Sequence, residues 1–128
     1  LEGIIRRRNK AWWTAAIRDG DGPLIAVQKG EVAGYVTFGA ARGRGRHQGE
    51  IYELYVAPAY QGLGFGEHLF EASRALLDAR GLNGLVVWTL ADNDSARDFY
   101  WRRGGRPFKT VKEPFGQAHL KKVGFGWA

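Results

Sequence analysis

The chain has 128 residues, of which 45% are hydrophobic, and a formal net charge of +6. This length predicts one domain spanning residues 1–128, and the absence of Cys excludes disulfides and thiolate metal sites. No apolar run approaches the ~20 residues that cross a bilayer, and no secretory leader opens the chain. We therefore expect a cytoplasmic protein with no membrane contact. Its basic residues are spread along the chain, so nucleic acid is not the expected partner.

The first half of the chain predicts one helix followed by three strands. Helical spacing of apolar residues favours a helix over residues 1–18, ended by the Gly- and Asp-rich residues 19–23. Residues 24–28 and 32–38 read as a hairpin around a tight turn. A Gly- and Arg-rich loop over residues 39–49 leads to a third strand over residues 51–56.

The second half alternates helices and strands. A helix is expected over residues 66–80, with Leu69, Phe70, Ser73, Leu76 and Leu77 on one face and Gly81 after its end. The apolar run 85–90 is typical of a buried strand. A short helix over residues 96–103 follows, with Asn93 or Asp94 as its N-cap. Residues 106–111 and 118–127 predict two last strands, so the fold class is a mixed α/β sheet with helices packed on it.

A glycine-rich turn joins the third strand to the following helix. Gly62, Gly64 and Gly66 carry no side chain that would hold a ligand away from the backbone. The helix that follows has unpaired N–H groups and partial positive charge at its start. This combination predicts a phosphate-binding loop.

Three phosphate-binding designs compete for this turn. A P-loop requires a Lys followed by Ser or Thr, which the turn lacks. A dinucleotide-binding turn requires a third Gly where this chain has Glu67. The third design, Gln/Arg-x-x-Gly-x-Gly/Ala, is met by Gln61, Gly64 and Gly66.

The third design resembles the pyrophosphate loop of the GNAT N-acetyltransferases. A second segment about thirty residues downstream is also similar to that family, because Asn93, Ala96, Tyr100 and Gly104 match its Asn-x-x-Ala-x-x-x-Tyr pattern and the following Gly. The residue after Gly104 departs from the family, which usually has Phe where this chain has Gly105. The resemblance covers residues 24–127, and we expect that part of the usual N-terminal strand and helix region is missing.

The resemblance implies a GNAT-type acyl-CoA N-acyltransferase fold, with a mostly antiparallel central sheet flanked by helices. It implies that acetyl-CoA is the co-substrate, with its pantetheine arm between two splayed parallel strands, those of residues 51–56 and 85–90. The residues implied in cofactor binding are Leu54, Tyr55, Val56, Gln61, Gly62, Leu63, Gly64, Phe65, Gly66, Asn93, Ala96, Phe99 and Tyr100.

The implied reaction is direct attack of a neutral amine on the thioester, with no metal and no covalent enzyme intermediate. Tyr100 corresponds to the family's frequent proton donor to the departing sulfur. Glu50 is the first candidate for the base and Glu53 the second, while ordered water remains open. On a regular strand these two carboxylates face opposite sides. The three His are far apart in sequence, so no metal site is expected.

The acceptor is expected to be the primary amine of a small molecule or peptide. Arg42, Arg44, Arg46 and His47 crowd the loop before Glu50, which favours an acceptor that also carries a carboxylate or phosphate. Two other functions stay open: a non-catalytic acyl-CoA-binding regulatory domain, and an acetyltransferase acting on a nucleic-acid-linked amine such as aminoacyl-tRNA. A homodimer also stays open.

Overall fold

The computed structural model describes residues 3–6, 14–17, 23–43 and 45–128. These residues form eight strands and two α-helices. In chain order the elements are β1 (Gly3–Arg6), β2 (Thr14–Ile17), β3 (Leu24–Gln28), β4 (Glu31–Ala40), β5 (Gly49–Val56), a 3₁₀ turn (Pro58–Tyr60), α1 (Phe65–Ala79), β6 (Leu85–Leu90), α2 (Asp94–Arg102), β7 (Arg106–Phe115) and β8 (Ala118–Trp127). The pairs β1–β2, β2–β3, β3–β4, β6–β8 and β7–β8 are antiparallel, and the mixed α/β class with a mostly antiparallel sheet is confirmed.

The helix expected over residues 1–18 is wrong. Its described residues are strands: β1 pairs antiparallel with β2, and β2 pairs antiparallel with β3. The edge of β3 offers unpaired backbone groups, and this pairing outweighs the helical spacing of a few apolar residues. Trp12 and Trp13, which contributed to that spacing, lie outside the described residues.

The first of two compact units contains the described residues of Leu1–Gly39 together with Ile51–Gly81. Its strands are ordered β1-β2-β3-β4-β5. The predicted β3–β4 hairpin is confirmed, and its turn places Lys29 and Gly30 at positive φ, as a tight hairpin turn requires. Helix α1 buries Phe65, Leu69, Phe70, Ser73 and Leu77, so the predicted apolar face is confirmed for all but the half-buried Leu76.

The second unit contains Ala40–Glu50 and Leu82–Ala128. Its strands are ordered β6-β8-β7, and both pairings are antiparallel. The first three residues of β6 are buried, whereas its end is exposed, so the prediction of a covered strand holds for its first half. β7 is four residues longer than expected and exposed along nearly its whole length. Tyr100 of α2 packs on Phe125 and Trp127 of β8 and fixes that helix to the sheet.

Candidate functional site

The conformation of the glycine-rich loop between β5 and α1 is fixed by one side-chain hydrogen bond and by two glycines at positive φ. The Gln61 side chain donates a hydrogen bond from Nε2 to the Val56 carbonyl oxygen at 3.0 Å, which ties the loop to the end of β5. Gly62 and Gly64 have φ of 78° and 91°, in the left-handed region that favours glycine. A Cβ at Gly62 would meet nothing within 4 Å, so the space beside this backbone is open.

The loop presents backbone donors to that space. Among the described residues, the N–H groups of Gly62, Leu63 and Gly64 find no protein acceptor. Gly64 is the N-cap of α1, so the positive end of the helix dipole lies at the same place. The His68 ring nitrogen Nδ1 lies 3.1 Å from the Gly64 carbonyl oxygen. Unpaired backbone donors at a helix N-terminus are the chemistry of an anion site, although an acid, Glu67, stands in the first turn of the helix. Binding of a phosphate at this loop stays a prediction.

The end of β5 lies close against β4. A Cβ at Gly34 of β4 would lie 2.4 Å from the Tyr55 carbonyl oxygen, so only glycine allows this approach. The Ala57 N–H donates to the Ala33 carbonyl oxygen at 2.8 Å, which fixes the chain where it leaves the strand. The backbone of Leu54, Tyr55 and Val56 is therefore placed by neighbours within its own unit.

Glu53 is exposed and accepts a hydrogen bond from the Tyr35 hydroxyl at 3.2 Å. The negative charge of Glu53 is the main reason that the pKa of Tyr35 lies above its usual value. Glu53 is therefore a surface carboxylate whose hydrogen-bond partner, Tyr35, comes from β4 of the same unit.

In the second unit, Asn93 begins helix α2. Its Oδ1 accepts from the Ala96 N–H at 3.1 Å, so Asn93 rather than Asp94 is the N-cap. Phe99 is half-buried, and the Arg103 guanidinium lies 4.0 Å from its ring centroid. The Asn93, Ala96 and Phe99 positions thus have structural roles in α2, while their roles toward a cofactor stay predictions.

Tyr100 is the buried polar residue of α2, with 7% of its surface exposed. Its ring centroid lies 5.3 Å from that of Phe99, 6.1 Å from Phe125 and 6.0 Å from Trp127. Burial among these rings raises the pKa of Tyr100 to about 12, because the charged phenolate is poorly solvated there. The phenol therefore stays protonated throughout the physiological range and is a hydrogen-bond donor at neutral pH.

Trp127 explains the departure of Gly105 from the family pattern. A Cβ at Gly105 would lie 2.4 Å from Cζ2 of Trp127, so no larger residue fits beside this ring. The indole Nε1 of Trp127 donates to the Arg103 carbonyl oxygen at 2.9 Å and holds the ring in place. The ring beside the end of α2 is thus supplied by β8 instead of by the residue after Gly104.

Glu50 is buried, with 3% of its surface exposed, and it is paired with Arg42. One carboxylate oxygen accepts from the Arg42 backbone N–H at 2.9 Å, and the other accepts from Arg42 Nη2 at 2.9 Å. A buried carboxylate needs such partners. Of the four basic loop residues singled out in the sequence, Arg42 therefore neutralises Glu50, and Arg44 lies outside the described residues.

Glu50 also lines a cavity of about 260 Å³ within the second unit. Arg46 and His47 of the loop border it, together with three residues that the sequence did not single out: Trp88, Phe108 and Lys109. A second cavity of about 430 Å³ shares Arg46, His47 and Phe108 with the first. Phe108 and Lys109 reach the site through the pairing of β7 with β8. The sequence predicted both strands but not which of their residues line the cavity.

Neither α-helix is long and apolar enough to cross a bilayer in the part of the chain that the structure describes. Within the same residues, no three His, Asp or Glu side chains come together in a group that could hold a metal ion.

Comparison with known proteins decides the family. The model of the Acetyltransferase (GNAT) family matches residues 3–105. The chain belongs to this family. The resemblance based on the loop and on the Asn93–Tyr100 segment is confirmed, and this GNAT chain has relatives in several bacterial groups.

Two relatives and one solved structure show how far the similarity extends. A mycothiol acetyltransferase from Arthrobacter sp. (strain FB24) is 37% identical over 106 residues, which are 80% of this chain and 31% of that protein. The uncharacterized N-acetyltransferase YuaI from Bacillus subtilis (strain 168) is 31% identical over 103 residues, 78% of this chain and 58% of that protein. The structure of Arabidopsis thaliana NAA60 with acetyl-CoA superposes with a TM-score of 0.67 at 17% identity, covering 83% of this chain and 75% of that one. The structural likeness confirms the GNAT fold, while the chain spans only a third to somewhat over half of these relatives.

Proposed function

We propose that this chain binds acetyl-CoA and transfers its acetyl group to the primary amine of a small molecule or peptide. The observation that carries the proposal is the loop of residues 61–66, where the space beside Gly62 is open and, among the described residues, the N–H groups of Gly62, Leu63 and Gly64 find no protein acceptor, an arrangement that suits a pyrophosphate. Membership of the GNAT acetyltransferase family supports acetyl-CoA as the ligand. The relatives are named acetyltransferases, and the NAA60 structure holds acetyl-CoA.

The cofactor is held by backbone groups in this proposal. The pyrophosphate rests on the N–H groups of the loop, where the helix dipole adds to the attraction. The pantetheine arm pairs with the backbone of Leu54, Tyr55 and Val56 in the manner of an added strand. Asn93, Ala96 and Phe99 of the second unit are further proposed contacts. No metal is part of this scheme.

Acetyl transfer requires two proton movements besides the attack itself. The amine nitrogen forms a bond to the thioester carbonyl carbon, the carbon–sulfur bond breaks, and CoA leaves as a thiolate. Tyr100 is proposed as the general acid that donates to this sulfur. Its raised pKa keeps the phenol protonated, and an ordinary thiol has a pKa of about 8.5. Hydrogen bonding to the developing thiolate is therefore its main contribution, because complete proton transfer would be uphill.

The base takes the proton that the amine loses. Glu50 is the first candidate because it lines a cavity large enough for a small amine. Its pairing with Arg42 weakens this role, since a carboxylate that is already bonded at both oxygens is a poorer proton acceptor. Glu53 and ordered water remain the alternatives.

A free-thiol assay across a broad set of amines and peptides tests the proposed function. With acetyl-CoA present, at least one class of primary amine is expected to release CoA thiol in proportion to protein concentration. Acetyl-CoA binding without turnover on any amine would favour the regulatory-domain alternative. RNA binding that falls steeply with salt would favour the aminoacyl-tRNA alternative.

A further inference from the structure

Three aromatic rings line the 260 Å³ cavity, those of His47, Trp88 and Phe108, and they lie directly on a strand backbone. Gly124 and Gly126 of β8 provide the flat surface. A Cβ at Gly126 would lie 2.7 Å from His47 Nε2, and a Cβ at Gly124 would lie 3.0 Å from the Trp88 ring. Any side chain at these two positions would push the rings away, so the glycines allow the rings to lie against β8.

Phe108 stands between the two other rings and is still half exposed. Its centroid lies 4.9 Å from that of His47 and 6.1 Å from that of Trp88, yet 50% of its surface meets solvent. Together with Trp88 it forms an apolar wall of the cavity. Large rings left exposed in a concave site are typical of surfaces that a ligand covers.

The charges around this cavity do not cancel. Arg42 already neutralises Glu50. Arg46 and Lys109 also line the cavity, and neither forms a hydrogen bond or ion pair with any residue in the described ranges. Burial, with a smaller effect of Arg46, lowers the pKa of His47, so this ring is uncharged at neutral pH. Two cations without a counter-charge therefore border an aromatic cavity.

We propose that this cavity is the acceptor site and takes an amino-acid-like substrate, a primary amine that carries a carboxylate and an apolar or aromatic side chain. The inference rests on the proposed acetyl transfer. Arg46 and Lys109 bind the carboxylate, Trp88 and Phe108 pack on the side chain, and the amine lies toward Glu50. The volume of about 260 Å³ suits a single small molecule. Polyamines bring positive charge to a positive site and are poor acceptors.

Phenylalanine and phenethylamine form a matched pair for the test, because they share the ring and the primary amine and differ in the carboxylate. We compare kcat/KM at equal concentrations of unprotonated amine in wild type, in an Arg46→Ala/Lys109→Ala double variant, and in Lys112→Ala. Lys112 is an exposed cation on the same strand as Lys109 and does not line the cavity. Binding of both compounds to the CoA-bound protein is measured by calorimetry in parallel, where no turnover occurs.

Wild type is expected to prefer phenylalanine by about tenfold or more, the value of a hydrogen bond to a charged group. The preference falls to near one in the double variant and persists in Lys112→Ala. If both amines are acetylated equally, the acceptor inference is wrong and the proposed function stands. If neither is acetylated but phenylalanine binds more tightly and only the double variant loses this, the cavity binds amino acids without serving as the acceptor site, so the inference is wrong, and the proposed function is decided separately by the free-thiol screen. If neither compound binds, the inference is wrong.

Discussion

The glycine-rich loop of the first unit and the cavity of the second unit differ in the groups that form them. The loop presents backbone N–H groups, and it has no side chains at Gly62 and Gly64 that would block access to them. The cavity offers specific side chains, of which Glu50, Trp88 and Phe108 come from three different strands. A backbone site depends on glycine conformation and on the order of strand, turn and helix. A side-chain site depends on which residues long-range pairing brings together.

This difference predicts how each region responds to substitution. In the loop, changes at the glycines should have the most severe effect on binding, because no side chain can replace a backbone group that is blocked. In the cavity and around Tyr100, single changes should have graded effects, because each side chain supplies one interaction among several. The substitutions below separate these two kinds of response.

The largest effect is expected for Gly64→Val. Acetyl-CoA at about 100 times its dissociation constant should stabilise wild type by roughly 2.7 kcal/mol. The variant should gain no stabilisation from acetyl-CoA, because a branched side chain occupies the phosphate position at a backbone φ of 91°. Thermal unfolding with and without ligand measures this.

Gly30→Val is the matched control for that strain. Gly30 also has a positive φ, 80°, with nothing within 4 Å of its added Cβ, but it lies in the β3–β4 turn. This control should keep the stabilisation by acetyl-CoA. A normal ligand shift in Gly64→Val would show that the loop does not bind the phosphates.

Tyr100→Phe should lower kcat by ~10²-fold, in the range of general acid–base catalysis. The substitution keeps the ring packing on Phe125 and Trp127 and removes only the hydroxyl. Because the pKa of Tyr100 is raised to about 12, the phenol is protonated below that pH, and the loss should be equal at pH 7 and pH 9. Acetyl-CoA affinity should be unchanged. A kcat near that of wild type would make Tyr100 a packing residue only.

Gly105→Ala should destabilise the fold by about 1–3 kcal/mol, the usual effect of overpacking. The added Cβ would collide with Trp127, which is 5% exposed and held by its bond to Arg103. Chemical denaturation measures the change, with Gly43→Ala as the control, since a Cβ there meets nothing within 4 Å. Equal stability of the two variants would mean that Trp127 does not require a glycine at position 105.

Glu50→Gln should have the smallest effect, a loss of about tenfold in the rate near neutral pH. This loss is below the usual range for a general acid or base, because Arg42 already donates hydrogen bonds to both oxygens of the Glu50 carboxylate. The rate should recover partly at alkaline pH, where the amine loses its own proton. Arg42→Ala keeps the carboxylate and removes its partner, so any loss in that variant should lack the alkaline recovery. A Glu50→Gln profile identical to that of wild type would remove Glu50 from the mechanism.

The two regions also differ in how well the sequence predicts them. Gln61, Gly64 and Gly66 identify the loop because the backbone site is local and its requirement for glycine is visible in the residues themselves. A helix N-cap is also a local feature, so the sequence narrowed it to Asn93 or Asp94, and the structure shows that it is Asn93. Trp88 reaches the cavity through the pairing of β6 with β8, and Phe108 and Lys109 reach it through the pairing of β7 with β8. All three were missed because local spacing does not show which residues these pairings bring together. The prediction of an N-terminal helix was wrong for the same reason, because β2 pairs with β3 and is therefore a strand.

The charged residues around the cavity were predicted from the sequence only in part. The sequence showed the basic loop before Glu50, but it did not show that Arg42 forms a salt bridge with Glu50. Arg46 and Lys109 line the cavity without a hydrogen-bond or ion-pair partner among the described residues, and only Arg46 belongs to the loop. A count of charges therefore predicted the sign of the local potential, while the partner of each side chain had to come from the structure.

An acetyl balance tests the central claim most directly. Acetyl-CoA labelled in the acetyl group is incubated with the protein and with the best amine from the screen, and CoA thiol and labelled N-acetyl product are both quantified by mass spectrometry. The account predicts that the two products form in equal amounts and that both are absent with Gly64→Val. Recovery of all the label as acetyl-CoA or free acetate, with no N-acetyl product, would contradict it.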